Sequence, residues 1–174
     1  CLGEESLKHG NQHVGHAMSR DLVHWTDLGP AAVPINNTWN DRSIATGSTV
    51  AHAGKWWMLT TGVGSKASGV GLVESDDLVS WRKVGDGPVA PLGKPFEATW
   101  EGKPVRWCGL ADPYVLPEPV DGWYVMVINA RILDVPIQES GCLALMRSRD
   151  LKRWEPGEVI AWPRLFERLE TPQL

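Results

Sequence analysis

Apolar residues along this chain fall in short blocks of about four to eight, many of them alternating with polar ones, and the blocks are bounded by Gly, Pro, Asn and Asp, which is the pattern of β-strands and turns. Thr46–His52 runs through Ala53-Gly54, a hairpin signal, into Lys55–Thr61; Gly69–Ser75 and Trp81–Val84 follow. A second cycle reads Asp112–Leu116, a Pro/Asp/Gly loop over 117–122, Trp123–Asn129, Cys142–Ser148 and Trp154–Ile160. Val14–Ser19 and Trp25–Leu28 read as the last two strands of an earlier set, and Glu170–Leu174 as the first strand of a later one. Nothing reads as an amphipathic helix of useful length.

The sets repeat. Residues 17–25 are Ala-Met-Ser-Arg-Asp-Leu-Val-His-Trp, residues 73–81 Val-Glu-Ser-Asp-Asp-Leu-Val-Ser-Trp, and residues 146–154 Met-Arg-Ser-Arg-Asp-Leu-Lys-Arg-Trp. Each has Ser, then Asp-Leu, then Trp at the same offsets, and the three Trp recur at about the length of one propeller blade. Ser and Asp bonding the backbone two residues on favour a turn over a continuing strand. Asp21, Asp77 and Asp150 are therefore expected to form turns, with the Leu plugging the space beneath and the Trp burying a large face in the next strand.

Four-stranded meanders repeated about a centre make a β-propeller, and closing one takes four to eight blades. The chain has 174 residues and supplies about three. The expected division is a blade remnant over about 13–34, a blade over about 46–91, a blade over about 110–163, and the start of the next over 169–174. Ten Trp and 18 Gly against 2 Phe and 2 Tyr fit Trp-packed, turn-rich blades and not a helix bundle.

Charge and metal chemistry narrow the partners. A net charge of −4 argues against a nucleic-acid or anionic-membrane partner. No apolar run is long enough for a membrane helix. The five His and three Cys show no metal-ligand spacing, so neither a metal nor a cofactor is expected.

In a propeller the first strands of the blades line a central channel. Three such strand starts are Thr46-Gly47-Ser48, Asp112-Pro113-Tyr114 and Glu170-Thr171-Pro172. Two of them present a carboxylic acid, and two carboxyls facing one cavity are what glycosyl transfer to water requires. Mutual repulsion and desolvation would raise one pKa into the range of an acid catalyst. Asp112 as a strand cap and Glu170 as a surface residue is the alternative reading of the same spacing.

The segments His13–Trp25 with Pro30-Ala31-Ala32-Val33-Pro34, Thr46-Gly47-Ser48-Thr49-Val50, Ala111-Asp112-Pro113-Tyr114-Val115 and Leu169-Glu170-Thr171-Pro172-Gln173-Leu174 resemble, in order, the first-blade, Ser-Gly-Ser, Arg-Asp-Pro and Glu-Cys-Pro-Asp-Leu segments of glycoside hydrolase family 32. The related family 43 is comparable, and both are five-bladed propellers. The resemblance implies hydrolysis of a furanoside-type bond, fructoside or arabinoside-like, in an oligo- or polysaccharide. It implies Glu170 as general acid/base and Asp112 as transition-state stabiliser or pKa modulator. The third acid, nucleophile or base, belongs to an Asn-Asp-Pro-type motif expected upstream of Cys1. Thr46 and Ser48 are substrate-binding candidates. The family motif has Arg before its Asp, where it holds sugar hydroxyls; here that place is Ala111. Arg106 and Arg131 are candidates for the missing donor, and Trp107, with Trp100, for a stacking face. A non-catalytic carbohydrate-binding or structural propeller that has lost the catalytic set is the competing expectation.

Overall fold

A computed structural model describes residues 12–174. The strands follow the apolar blocks. One sheet is an antiparallel meander of β3 (Ser43–His52), β4 (Lys55–Val63), β5 (Ser68–Ser75) and β6 (Arg82–Lys83), with short β7 (Ala90–Pro91) returning to pair with β5. The other runs β8 (Phe96–Trp100), β9 (Lys103–Val115), β10 (Tyr124–Ile132), β11 (Gly141–Ser148) and β12 (Glu155–Ala161), each antiparallel to the next. Before them, β1 (Ala17–Ser19) and β2 (Trp25–Asp27) form a two-stranded sheet.

Three hairpins close on a residue pair with both φ positive, Ala53-Gly54, Glu101-Gly102 and Asp121-Gly122. Those turns match the right-handed twist of the strands they join. Ala53-Gly54 was legible as a hairpin. Glu101-Gly102 was not, and β7, β8 and the first two-thirds of β9 lie in a stretch dense in Pro and Gly that masks their strand character. The second sheet consequently starts at Phe96, ahead of the expected boundary near residue 110. Glu170–Leu174, expected as a strand, forms none; Tyr114 Oη donates to the carbonyl of Leu174 at 3.0 Å.

The repeated turns have the expected chemistry. In each, the Asp Oδ1 accepts the N–H groups two and three residues on: Val23 and His24 on Asp21, Val79 and Ser80 on Asp77, Lys152 and Arg153 on Asp150, all at 2.7–3.0 Å. The Ser hydroxyl accepts the Asp N–H at 3.2 Å in all three. The Leu that follows has positive φ at every copy, +63° at Leu22, +61° at Leu78 and +63° at Leu151. Only Leu151 plugs a core; Leu22 is 78% and Leu78 38% exposed. The Trp burial expected of the motif holds for Trp154 and fails for exposed Trp25.

The main core lies between the two large sheets. Leu59, Val70 and Leu72 of one meet Trp107, Met126, Ile128 and Met146 of the other in one buried cluster. The β-strands here are buried on both faces, which is why β4, β10 and β11 read as near-continuous apolar runs. Trp39 lies flat against the backbones of Gly62 and Gly71, where a side chain on either glycine would collide with its ring.

Candidate active site

Asp112 sits in a bulged stretch of β9. Ala111 pairs with Asn129 on β10 and Tyr114 with Val127, so β9 carries an extra residue at Asp112-Pro113; on the other side, Gly109 pairs with Ala130, leaving Leu110 over. A bulge redirects the side chain it carries, and Pro113, without an N–H, costs the ladder nothing there. Asp112 has φ +59°, a strained value for a residue with a Cβ. The first sheet holds this conformation. Asp112 N–H donates to Thr61 Oγ1 on β4 at 2.9 Å, and Val115 N–H donates to Ser48 Oγ on β3 at 2.9 Å. β3 is bulged at the corresponding place: Ile44 pairs with Gly62 and Gly47 with Thr60, leaving an extra residue at Ala45-Thr46.

Asp112 is buried, 8% exposed. Its Oδ2 accepts Thr171 N–H at 3.1 Å and Asn129 Nδ2 at 3.4 Å. Thr171 follows Glu170, whose carboxylate is 61% exposed. The segment leading there crosses Gly141, which donates its N–H to Phe166 O at 2.8 Å and leaves no room for a Cβ beneath Glu167 and Arg168. Asp112, Glu170, Thr46, Asn129 and Arg168 line one cleft of about 340 Å³. An adjoining hollow of about 550 Å³ along Thr46–Thr49 has no carboxylate in its lining.

The structure thus brings Asp112, Glu170 and Thr46 together. Ser48 supports the β9 bulge and lines the adjoining hollow. Three other candidates lie elsewhere. Trp107 is fully buried in the core and offers no face to a ligand. Arg106 bonds Asp134 on the surface, with Nη2 at 2.6 Å from Oδ2. Arg131 is spent on Glu167, propping the segment that leads to Glu170. The sequence reading missed Thr61, Asn129 and Arg168. Asn129 had a signal, a lone amide in the apolar run Val127–Ala130; Arg168, in the irregular segment before Glu170, had none.

Residues 3–166 match the profile described as the glycosyl hydrolases family 32 N-terminal domain. A sucrose-6-phosphate hydrolase of Zymomonas mobilis is 31% identical over 149 residues, covering 83% of this chain and 27% of that protein. An insoluble-isoenzyme beta-fructofuranosidase of Arabidopsis thaliana is 29% identical over 154 residues, covering 80% and 24%. The chain therefore spans about a quarter of the length of these relatives. Among solved structures, a fructan 1-exohydrolase IIa variant from Cichorium intybus in complex with 1-kestose superposes with a TM-score of 0.66 at 25% identity, over 87% of this chain and 27% of that one. A sucrose-6-phosphate hydrolase from Lactobacillus gasseri superposes at 0.64 and 25% identity, over 83% and 27%. The all-β sheets are accordingly part of a β-propeller. With most of its length matched by that profile, the chain belongs to glycosyl hydrolase family 32, within its N-terminal domain.

Proposed function

We propose that this chain contributes the acid and the stabilising carboxylate of a glycosidase that cleaves terminal fructoside bonds of sucrose-type or fructan-type oligosaccharides. The observation that carries the reading is the single cleft lined by Asp112 and Glu170, with Thr171 N–H on the Asp112 carboxylate. Glu170, solvent-reachable at the cleft, protonates the leaving glycosidic oxygen and later takes a proton from the incoming water. The Asp112 carboxylate accepts Thr171 N–H and the Asn129 amide, which fix its orientation in the cleft. It stabilises the positive charge that develops on the fructosyl ring. Attack on the anomeric carbon falls to a third carboxylate. Asp21 cannot supply it, because its oxygens are taken by Val23, His24 and Ser19 in the turn.

The test is hydrolysis of sucrose, sucrose 6-phosphate and 1-kestose by the full-length protein, beside Asp112→Asn and Glu170→Gln. Release of fructose from at least one substrate, lost in both variants, supports the reading. A folded protein that binds these sugars and cleaves none is a carbohydrate-binding propeller, and the proposal fails.

A further inference from the structure

We propose that Arg168 and Asn129 bind adjacent hydroxyl groups of the sugar ring in the Asp112–Glu170 cleft, and that Arg168 is a specificity-determining residue of the site. The inference rests on the glycosidase reading and adds to it the groups that recognise the ring.

Asn129 is 2% exposed and lines the cleft. Its Nδ2 faces Asp112 Oδ2 at 3.4 Å, which turns Oδ1 the other way, and that Oδ1 is buried without a hydrogen-bond partner. A buried amide oxygen left open in a cleft calls for a donor from the ligand. Ala111 stands directly across from Asn129 in the β9–β10 pairing.

Arg168 is the one Lys or Arg among the described residues lining the cleft. Its nearest carboxylate contacts are Nη1 to Glu170 Oε1 at 3.6 Å and Nε to Glu167 Oε1 at 3.8 Å, both beyond hydrogen-bond length. Its N–H donors are therefore open to a ligand. A guanidinium presents a planar fork of donors, matched by the oxygens of two neighbouring hydroxyls. Each hydroxyl also carries a proton to give, and Asn129 Oδ1 is placed to take one. A vicinal diol is the chemistry that satisfies both partners together.

The experiment compares the full-length enzyme with Arg168→Ala and Arg168→Lys on a cleaved fructoside and on analogues in which single ring hydroxyls are replaced by hydrogen. Arg168→Ala is expected to raise KM about ten- to hundredfold, the worth of a hydrogen bond to a charged group, with a smaller change in kcat. Arg168→Lys should fall between the two. For the analogue lacking the recognised hydroxyl, wild type and Arg168→Ala should be alike. A KM within twofold of wild type, a loss confined to kcat, or an equal penalty on every analogue overturns the inference and leaves the glycosidase reading standing. A wild-type enzyme that cleaves no fructoside overturns both.

Discussion

Thr171 donates its backbone N–H to Asp112 Oδ2 at 3.1 Å, across 59 residues of sequence. The residue after the proposed acid is thereby hydrogen-bonded to the proposed stabilising carboxylate. Thr171 has φ +50°, so the bond is made by a backbone in the left-handed region.

That geometry separates two substitutions. Thr171→Gly keeps the N–H and suits the positive φ, so kcat should stay within a few fold of wild type. Thr171→Pro removes the donor and fixes φ near −65°, and kcat should fall by at least about tenfold. Steady-state kinetics on the full-length enzyme, with circular dichroism to confirm folding, decides the matter. Equal activity in both variants would show that the Thr171–Asp112 bond has no part in catalysis.

Glu170→Gln tests the acid role through the leaving group. Without a proton source, turnover of a natural fructoside should drop by about a hundredfold or more. A substrate whose leaving group departs unprotonated should lose far less. Matching losses on both kinds of substrate would remove Glu170 from the acid's role.

The packing of Trp39 gives a prediction on stability. A methyl group on Gly71 would run into the indole ring, so Gly71→Ala should destabilise by about 1–3 kcal/mol or more through overpacking. Trp39→Leu also costs stability, yet it vacates the space the methyl needs. The double variant should therefore lose less than the two single losses combined, read by urea unfolding as a coupling between contacting residues. Strict additivity would mean the ring does not lie on that glycine.

Much of this architecture was legible because the chain states it three times. The Ser-x-Asp-Leu-x-x-Trp pattern located the turns, and the apolar blocks between them located β3–β5, the end of β9 and β10–β12. What the motif could not carry was environment. Leu22, Leu78 and Leu151 share one backbone conformation, but only Leu151 has a second sheet layer to bury it. At the cleft, Asp112 and Glu170 were expected as acids at strand starts; Asp112 lies instead near the end of β9 and Glu170 in no strand, yet both line the cleft. Arg106, Trp107 and Arg131 were chosen for chemical type, and strand parity with tertiary pairing sent each one elsewhere: to Asp134, to the core and to Glu167. Asn129 and Arg168 reach the cleft through cross-strand pairing and through the crossing over Gly141, relationships that no local pattern encodes.

The turn aspartates make the last prediction, and it concerns pH. The N–H groups of Ser80 and Val79 hold the Asp77 carboxylate down from 3.8 to about 2. In Asp150 burial pushes upward, but the N–H groups of Lys152 and Arg153 win and the net direction is down. A carboxylate whose pKa is depressed on folding stabilises the folded state above its unfolded pKa, and that contribution disappears as pH falls through the folded value. For Asp77 the window is therefore pH about 4 down to about 2. Full-length Asp77→Ala should melt below wild type at neutral pH, and the gap between the two melting temperatures should close across that window. Other carboxylates titrate in both proteins alike, so the difference isolates Asp77. The variant should keep near-normal activity while folded, because Oδ1 is already engaged by Val79 and Ser80. A melting gap that persists unchanged to pH 2, or a loss of activity without any melting shift, would take Asp77 out of the turn and put it into the chemistry.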